Sequence, residues 1–150
     1  LLYTGPLGQA NSLKVEIEFL KNVVLPPVEM DYHNEFGVRT KVRVMDLREI
    51  TAEKIRAMND RVRYRDFYDF TMICLKLGIN IEEVLALVKK KEIRKPISRY
   101  NILSNWRLAR EDKTNEKLAI HYTEELSDEQ VYNQIKRLQF ETALPANQPS

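Results

Sequence analysis

Cysteine is almost absent from the 150-residue sequence, which contains Cys74 alone. One cysteine cannot form a disulfide within the chain or build a cysteine cage around zinc, and its apolar neighbours indicate inert packing. Long apolar runs are also missing, since no stretch approaches the roughly 20 residues that a membrane helix needs. We therefore expect a protein of the reducing cytoplasm that does not enter the membrane.

Glycine is scarce too, with four residues, and the common phosphate-binding loops are absent. Neither GxxxxGK[ST] nor GxGxxG occurs, which excludes a P-loop and a Rossmann fingerprint. His33 and His121 lack the spacing of zinc ligands. Hydrophobic residues at 43% and charged residues at 31% have the balance of a globular domain, and a net charge of +2 does not by itself indicate nucleic acid binding.

The sequence changes from strand-like to helical patterns near Asp46. Residues 13–20 and 40–45 alternate apolar and charged side chains, so we expect two paired strands, with loops at 1–11 and 28–37. Strands followed by helices favour an α+β fold, a short N-terminal antiparallel or mixed sheet before a bundle of about five helices. We predict helices over about 47–59, 64–77, 81–91, 97–110 and 128–138, three of them preceded by capping patterns at Asp46/Glu49, Asn80/Glu83 and Ser127/Gln130. The predicted domains are a partial sheet at 1–46, a helical domain at 47–143 and a flexible tail at 144–150.

Lys54 interrupts the apolar stripe of the first helix. Ile50, Lys54 and Met58 follow one another at four-residue spacing, so a cation lies on the face that should pack into the core. Such a lysine commonly runs along the apolar surface and places its amine in water. The alternative is an ammonium group directed into a functional cleft.

Asp66 and Asp69 lie at i and i+3 on a second helix that is apolar on nearly every side. Two neighbouring carboxylates on a buried helix need partners or a cation. A structural interpretation pairs Arg65 with Asp69 at i+4 and places Asp66 at the positive end of the helix dipole. A functional interpretation makes both acids part of a site.

Glu16 and Glu18 share one face of the first predicted strand. The simplest explanation is the solvated face of an edge sheet. The functional alternative is a metal site, because Mg²⁺ takes carboxylate oxygens together with water and substrate phosphates.

Basic residues form two clusters. Arg56, Arg61, Arg63 and Arg65 surround the junction of the two central helices, with Tyr64 between them. The second cluster includes the lysine run at the end of the third helix, which we interpret as a solvated helix end. Basic groups with interleaved aromatics are typical of surfaces that bind RNA or nucleotides, so the arginine cluster is a candidate binding surface.

The segment over residues 52–70 resembles a known family. It is similar to the EK…R…RD.yD segment of the AbiEii/AbiGii toxin-type nucleotidyltransferases. The matching residues are the Glu-Lys pair at 53–54, Arg61 and the Arg-Asp-Phe-Tyr-Asp run at 65–69. That family has a polymerase-β-like catalytic fold followed by a helical region. The similarity in order and type extends over residues 3–90.

The resemblance implies a catalytic role for Lys54, Asp66 and Asp69. Lys54 would meet nucleotide phosphates. The two acids would orient Lys54 and neighbouring basic groups or contact the substrate, and Arg65 would support them. The implied reaction transfers a nucleoside monophosphate from a nucleoside triphosphate to RNA, in particular to tRNA ends. Family members are described as toxins that a partner antitoxin neutralises.

The resemblance also implies binding and metal residues. Arg61, Arg63 and Arg65 would bind nucleotide or RNA. Glu16, or less favourably Glu18, would supply one carboxylate of a polymerase-type Mg²⁺ site.

One part of the family's pattern is missing from this sequence. A Gly-Ser or Gly-Gly turn followed by Asp-x-Asp occurs nowhere in it, and those aspartates hold the metal ions in the family. The first residues, from Leu1 onwards, look like the middle of a longer chain. We therefore expect the C-terminal part of a nucleotidyltransferase-like protein, inactive by itself and needing its N-terminal part for Mg²⁺. The alternative is a degenerate homologue that never had that part. An open sheet edge would then allow a homodimer.

Two other functions fit the same residues. The first is a non-catalytic helical module that binds RNA or a protein through the arginine cluster, with structural carboxylates. The second is a purely structural scaffold, which predicts that Lys54, Asp66 and Asp69 do not converge on a common cleft.

Overall fold

The computed structural model describes residues 2–15, 17, 22–91, 95–111, 113, 122, 124–139 and 142–143. Within this part of the chain, short antiparallel strands come first and most of the helices follow, which confirms the predicted α+β class. No helix among these residues is long and apolar enough to cross a membrane. The predicted domain boundary at residue 46 stays a prediction, and the predicted tail at 144–150 lies outside the described residues.

Two hairpins form the N-terminal strands. In the first, β1 (Leu2–Thr4) pairs with β2 (Ala10–Ser12), so the predicted loop at 1–11 is wrong. The turn between them uses Gly8 at a φ of 76°, a conformation that glycine adopts without steric cost. In the second hairpin, β3 (Val28–Asp31) pairs with β4 (Lys41–Val44).

The second hairpin corrects the predicted strand pairing. The strand expected at 40–45 is present as β4, but its partner is β3, in a segment predicted to be a loop, and not residues 13–20. The physical reason is the register, which places Val28 opposite Val44 and so matches apolar side chains on one face while charged side chains meet on the other. Residues 13–15 and 17 have no regular structure, and the rest of 13–20 lies outside the described residues.

Five helices build the body of the described chain. Their predicted positions are confirmed to within a few residues, and they are α1 (Leu47–Asp60), α2 (Tyr64–Lys76), α3 (Ile81–Lys90), α4 (Arg99–Ala109) and α5 (Asp128–Lys136). Helix α2 ends just before Gly78, which has a φ of 59°. Helix α4 begins two residues later than predicted, because Ile97–Ser98 forms β5, paired with β6 (Thr142–Ala143).

The capping predictions are correct at two helices and half correct at a third. Ser127 and Gln130 form a complete capping box, and Asn80 accepts from two backbone N–H groups of α3. Asp46 caps α1 by accepting from the backbone N–H of Arg48 at 2.8 Å. Glu49 contributes to other contacts, because it is fully buried and points away from that cap.

Helix α2 lies at the centre of the core. It packs against α1, α4 and α5, and the rings of Phe67 and Phe70 are fully buried. Phe67 meets Trp106 of α4 with 5.3 Å between ring centroids. Burying one such side chain contributes roughly 1.5–3 kcal/mol, so these rings fix the position of the helix that carries Asp66 and Asp69.

Candidate functional site

The turn between α1 and α2 brings the three predicted catalytic residues together. Residues 61–63 link the two helices and allow them to pack side by side. Lys54 Nζ donates to Asp69 Oδ2 at 2.7 Å and to Asp66 Oδ1 at 3.3 Å. Its side chain is 24% exposed, so the ammonium group neither reaches freely into water nor lies in the core. The three charged side chains therefore contact one another, which the scaffold hypothesis did not predict. Lys54 and Asp66 also line a common cleft, whereas Asp69 is not among its lining residues.

Asp66 is the buried member of this site. Its carboxylate is fully buried and accepts from Arg61, with 2.8 Å between Oδ2 and Nε and 3.1 Å between Oδ1 and Nη2. Burial acts to raise the pKa of Asp66, but the hydrogen bonds from Arg61 and the charges of Arg61 and Lys54 outweigh it. The pKa is therefore below its usual value, and the group is ionised at neutral pH.

A cleft opens beside Lys54. It has a volume of about 390 Å³, within the usual range of ligand pockets, and its charged side chains are of both signs. Arg63, in the turn before α2, is exposed, and Arg65 is partly buried on the first turn of α2. The lining residues are Glu53, Lys54, Arg56, Ala57, Asp60, Arg61 and Asp66.

The metal prediction falls on residues that the structure does not describe. Glu16 and Glu18 both lie outside the described part of the chain. Among the described residues, no group of three or more His, Cys, Asp or Glu side chains could hold a metal ion. Asp66 and Asp69 do not fit that role either, since Lys54 and Arg61 already neutralise them.

A comparison with protein families shows which family the chain belongs to. The model of the family described as nucleotidyl transferase AbiEii toxin, type IV TA system, matches residues 3–146. The chain belongs to the AbiEii family. The resemblance inferred from residues 52–70 is thereby confirmed. No curated protein and no solved structure matches the chain significantly.

The AbiEii match extends the family relationship beyond the segment that revealed it. Sequence similarity was evident only over residues 3–90, whereas the match continues through the helices that follow. Helices α4 and α5 are therefore part of the family's structure. The family is described as nucleotidyl transferase toxins of a type IV toxin–antitoxin system, and this description points to an antitoxin as a partner.

Sequence reasoning missed one charged cluster of the AbiEii chain. Lys89 and Lys90 are exposed, as predicted for a solvated helix end, but Lys91 is buried. Its Nζ binds Glu49 and, at 2.9 Å, Glu53. Glu49 and Glu53 at i and i+4 on α1 were a signal for a shared cationic partner, yet only the packing of α3 on α1 reveals that this partner is Lys91.

Proposed function

We propose that this AbiEii chain carries the nucleotide-phosphate-binding part of a toxin that transfers a nucleoside monophosphate from a nucleoside triphosphate to RNA. The observation that carries the proposal is the position of Lys54. Its ammonium group is held by Asp69 and Asp66 at the cleft between α1 and α2. The family match supports a nucleotidyltransferase, and a cation fixed in a cleft suits the phosphates of its substrate.

The chemistry of transfer defines what Lys54 would do. A hydroxyl oxygen of the RNA attacks the α-phosphorus, the bond from the α-phosphorus to the bridging oxygen breaks, and pyrophosphate leaves. The proton of the attacking hydroxyl passes to solvent or to a base. Negative charge grows on the leaving pyrophosphate, and Lys54 would stabilise it there. Asp69 and Asp66 hold the ammonium group in place beforehand, so its ordering costs little during the reaction.

The arginines beside the cleft would hold the rest of the substrates. The Arg61 side chain is 46% exposed although it binds Asp66. Arginine is well suited to phosphate, because its guanidinium can donate two parallel hydrogen bonds. Arg63 is exposed at the start of α2, and Arg65 follows it within the first turn. We assign these three arginines to nucleotide or RNA phosphates, and binding should weaken as salt rises.

The proposed reaction uses Mg²⁺, although the residues predicted to bind it lie outside the described part of the chain. When bound, it would neutralise charge on the phosphates. Glu16 and Glu18 stay the predicted contributors, and no Asp-x-Asp pair occurs in the 150 residues. Transfer should therefore be tested in the protein expressed from its complete open reading frame, with Mg²⁺ present. A second preparation, of residues 1–150 alone, tests whether this part is inactive by itself, and size-exclusion chromatography of it tests for a homodimer.

The decisive experiment follows a label from each α-labelled nucleoside triphosphate into total RNA and purified tRNA. We expect Lys54→Ala to lower transfer at least about 100-fold, because a cation that stabilises phosphoryl transfer is lost. Asp69→Ala should lower it as well, since Lys54 then loses its closest partner.

A matched control is available on α2. Lys76 forms an ion pair with Glu124 at 2.9 Å, far from the cleft, so Lys76→Ala should transfer at the normal rate. Full activity in Lys54→Ala would refute the proposed role. If the unsubstituted protein transfers no nucleotide but retains RNA through Arg61, Arg63 and Arg65, the non-catalytic binding module is the better description.

A further inference from the structure

A buried lysine connects α3 to the helix that carries Lys54. Lys91 follows the last residue of α3 and is 5% exposed. Its Nζ donates to the backbone oxygen of Asn22 at 2.7 Å, to Glu49 Oε1, and to Glu53 Oε1 at 2.9 Å. An ammonium group has three N–H donors, so these acceptors satisfy it and fix its position.

Glu49 is the part of this cluster that faces the protein interior. Its carboxylate is fully buried and also accepts from the backbone N–H groups of Val24 and Leu25, both at 3.2 Å. Glu49 therefore ties Lys91 and the segment before β3 to α1. It does not line the cleft.

Glu53 is the part that faces the cleft. Oε1 binds Lys91, whereas Oε2 accepts from Arg56 at 3.1 Å to Nε and 2.6 Å to Nη2. Burial acts to raise the pKa of Glu53, but hydrogen bonds from Lys91 and Arg56 lower it below its usual value. Glu53 is therefore a charged bridge between a buried lysine and an arginine that lines the cleft.

We propose that Lys91 is a positioning residue, which anchors Glu53 so that the Arg56 guanidinium is held in the cleft to bind the phosphates of the nucleotide beside Lys54. This inference rests on the proposed function. A guanidinium is a planar fork that matches phosphate oxygens, and holding it in advance reduces the entropy lost when phosphate binds. Without Lys91, Arg56 would keep only its i, i+3 pair with Glu53 and its longer i, i+4 pair with Asp60 at 4.0 Å, and such pairs are too weak to fix the fork.

The test needs a variant that loses Lys91 and still folds. Lys91→Met alone would leave the buried carboxylate of Glu49 without its cation, which is strongly destabilising. The double variant Glu49→Gln with Lys91→Met removes one charge of each sign and leaves Glu53 paired with Arg56. Lys90→Met is the matched control, because Lys90 is the exposed neighbour of Lys91.

Two quantities are measured in the complete protein: the exchange of one Arg56 N–H and the KM for the nucleotide. By NMR, the Arg56 Nε–H should exchange slowly with solvent in the unsubstituted protein and in the control, and faster in the double variant. The KM for the nucleoside triphosphate should rise about tenfold while kcat changes less than about twofold, as expected when binding is lost and chemistry is not.

A double-mutant cycle tests whether Lys91 acts through Arg56. In an Arg56→Ala background the double substitution should change KM no further. The inference is overturned if the exchange rate of the Arg56 Nε–H and the KM stay normal in the double variant. It is also overturned if the effects of the double substitution and of Arg56→Ala on KM add. Should Lys54→Ala retain transfer, the proposed function falls, and Arg56 exchange alone still decides whether Lys91 positions it.

Discussion

At the scale of single residues, the charge of Asp66 gives a pH-dependent prediction. Its pKa is lowered from an ordinary value of 3.8. A carboxyl group with a lowered folded-state pKa stabilises the protein above its unfolded-state pKa, and this contribution disappears as pH falls through the folded-state value. The ion pairs of Asp66 should therefore support the fold above about pH 4 and be lost below it.

Asp66→Asn should lower the free energy of unfolding by about 2 kcal/mol at pH 7. Breaking a buried ion pair commonly costs about 3–5 kcal/mol, but Arg61 is nearly half exposed and would regain hydration. Urea unfolding followed by circular dichroism measures the loss, which should shrink below pH 4. Asp69→Asn is the control, because its carboxylate is 43% exposed and should cost under about 1 kcal/mol. Equal losses in both variants would contradict this account.

The residues of the site were only partly predictable. Lys54, Asp66 and Asp69 stood out because each violates the apolar pattern of its helix, and the packing of α1 on α2 brings them together. The acids were expected to hold neighbouring basic groups, but the sequence did not indicate that Arg61 is the one that binds Asp66, since that pairing depends on the three-residue turn between the helices. Lys91 was missed for the same reason: its burial follows from tertiary packing and not from any local pattern.

At the scale of secondary-structure elements, helices were more predictable than strands. Helix starts are specified locally, by one side chain that satisfies backbone N–H groups, as at Asn80 and Ser127. Strands require a partner elsewhere in the chain, and several alternating segments competed for that position. Residues 28–31 were overlooked because the preceding prolines suggested a loop, whereas the cross-strand register with β4 decides the pairing.

The cap of α5 gives the prediction at this scale. Ser127 Oγ accepts from Gln130 N–H at 3.1 Å, and Gln130 Oε1 accepts from Ser127 N–H at 2.8 Å. Ser127→Ala removes the first contact and should lower the free energy of unfolding by about 1 kcal/mol. Ser127→Asp should retain most of it. Ser104→Ala, exposed within α4, should have no destabilising effect, and a similar loss there would argue against the cap.

At the scale of the whole molecule, the helices and the hairpins differ in how well they are covered. The helical body buries aromatic and aliphatic side chains from α1, α2, α4 and α5. In the second hairpin, by contrast, Val28 is 41% exposed and Met30 is 54% exposed. A two-stranded hairpin without a covered apolar face is only marginally stable by itself. The described chain therefore has one strongly protected part and one weakly protected part.

Hydrogen exchange resolved by segment should reveal this difference in the complete protein. Helix α2 is surrounded by α1, α4 and α5, so its amides should become accessible only when the whole protein unfolds. They should therefore exchange slowest. Amides of β3 and β4 should exchange at least about 100-fold faster, since opening the hairpin exposes little buried surface. Equal protection of β4 and α2 would contradict the prediction, and it would mean that the apolar face of Val28 and Met30 is covered by a further surface. The expected result, faster exchange in the hairpin alone, would show that the helices supply the stability that holds Lys54 and Asp66 together.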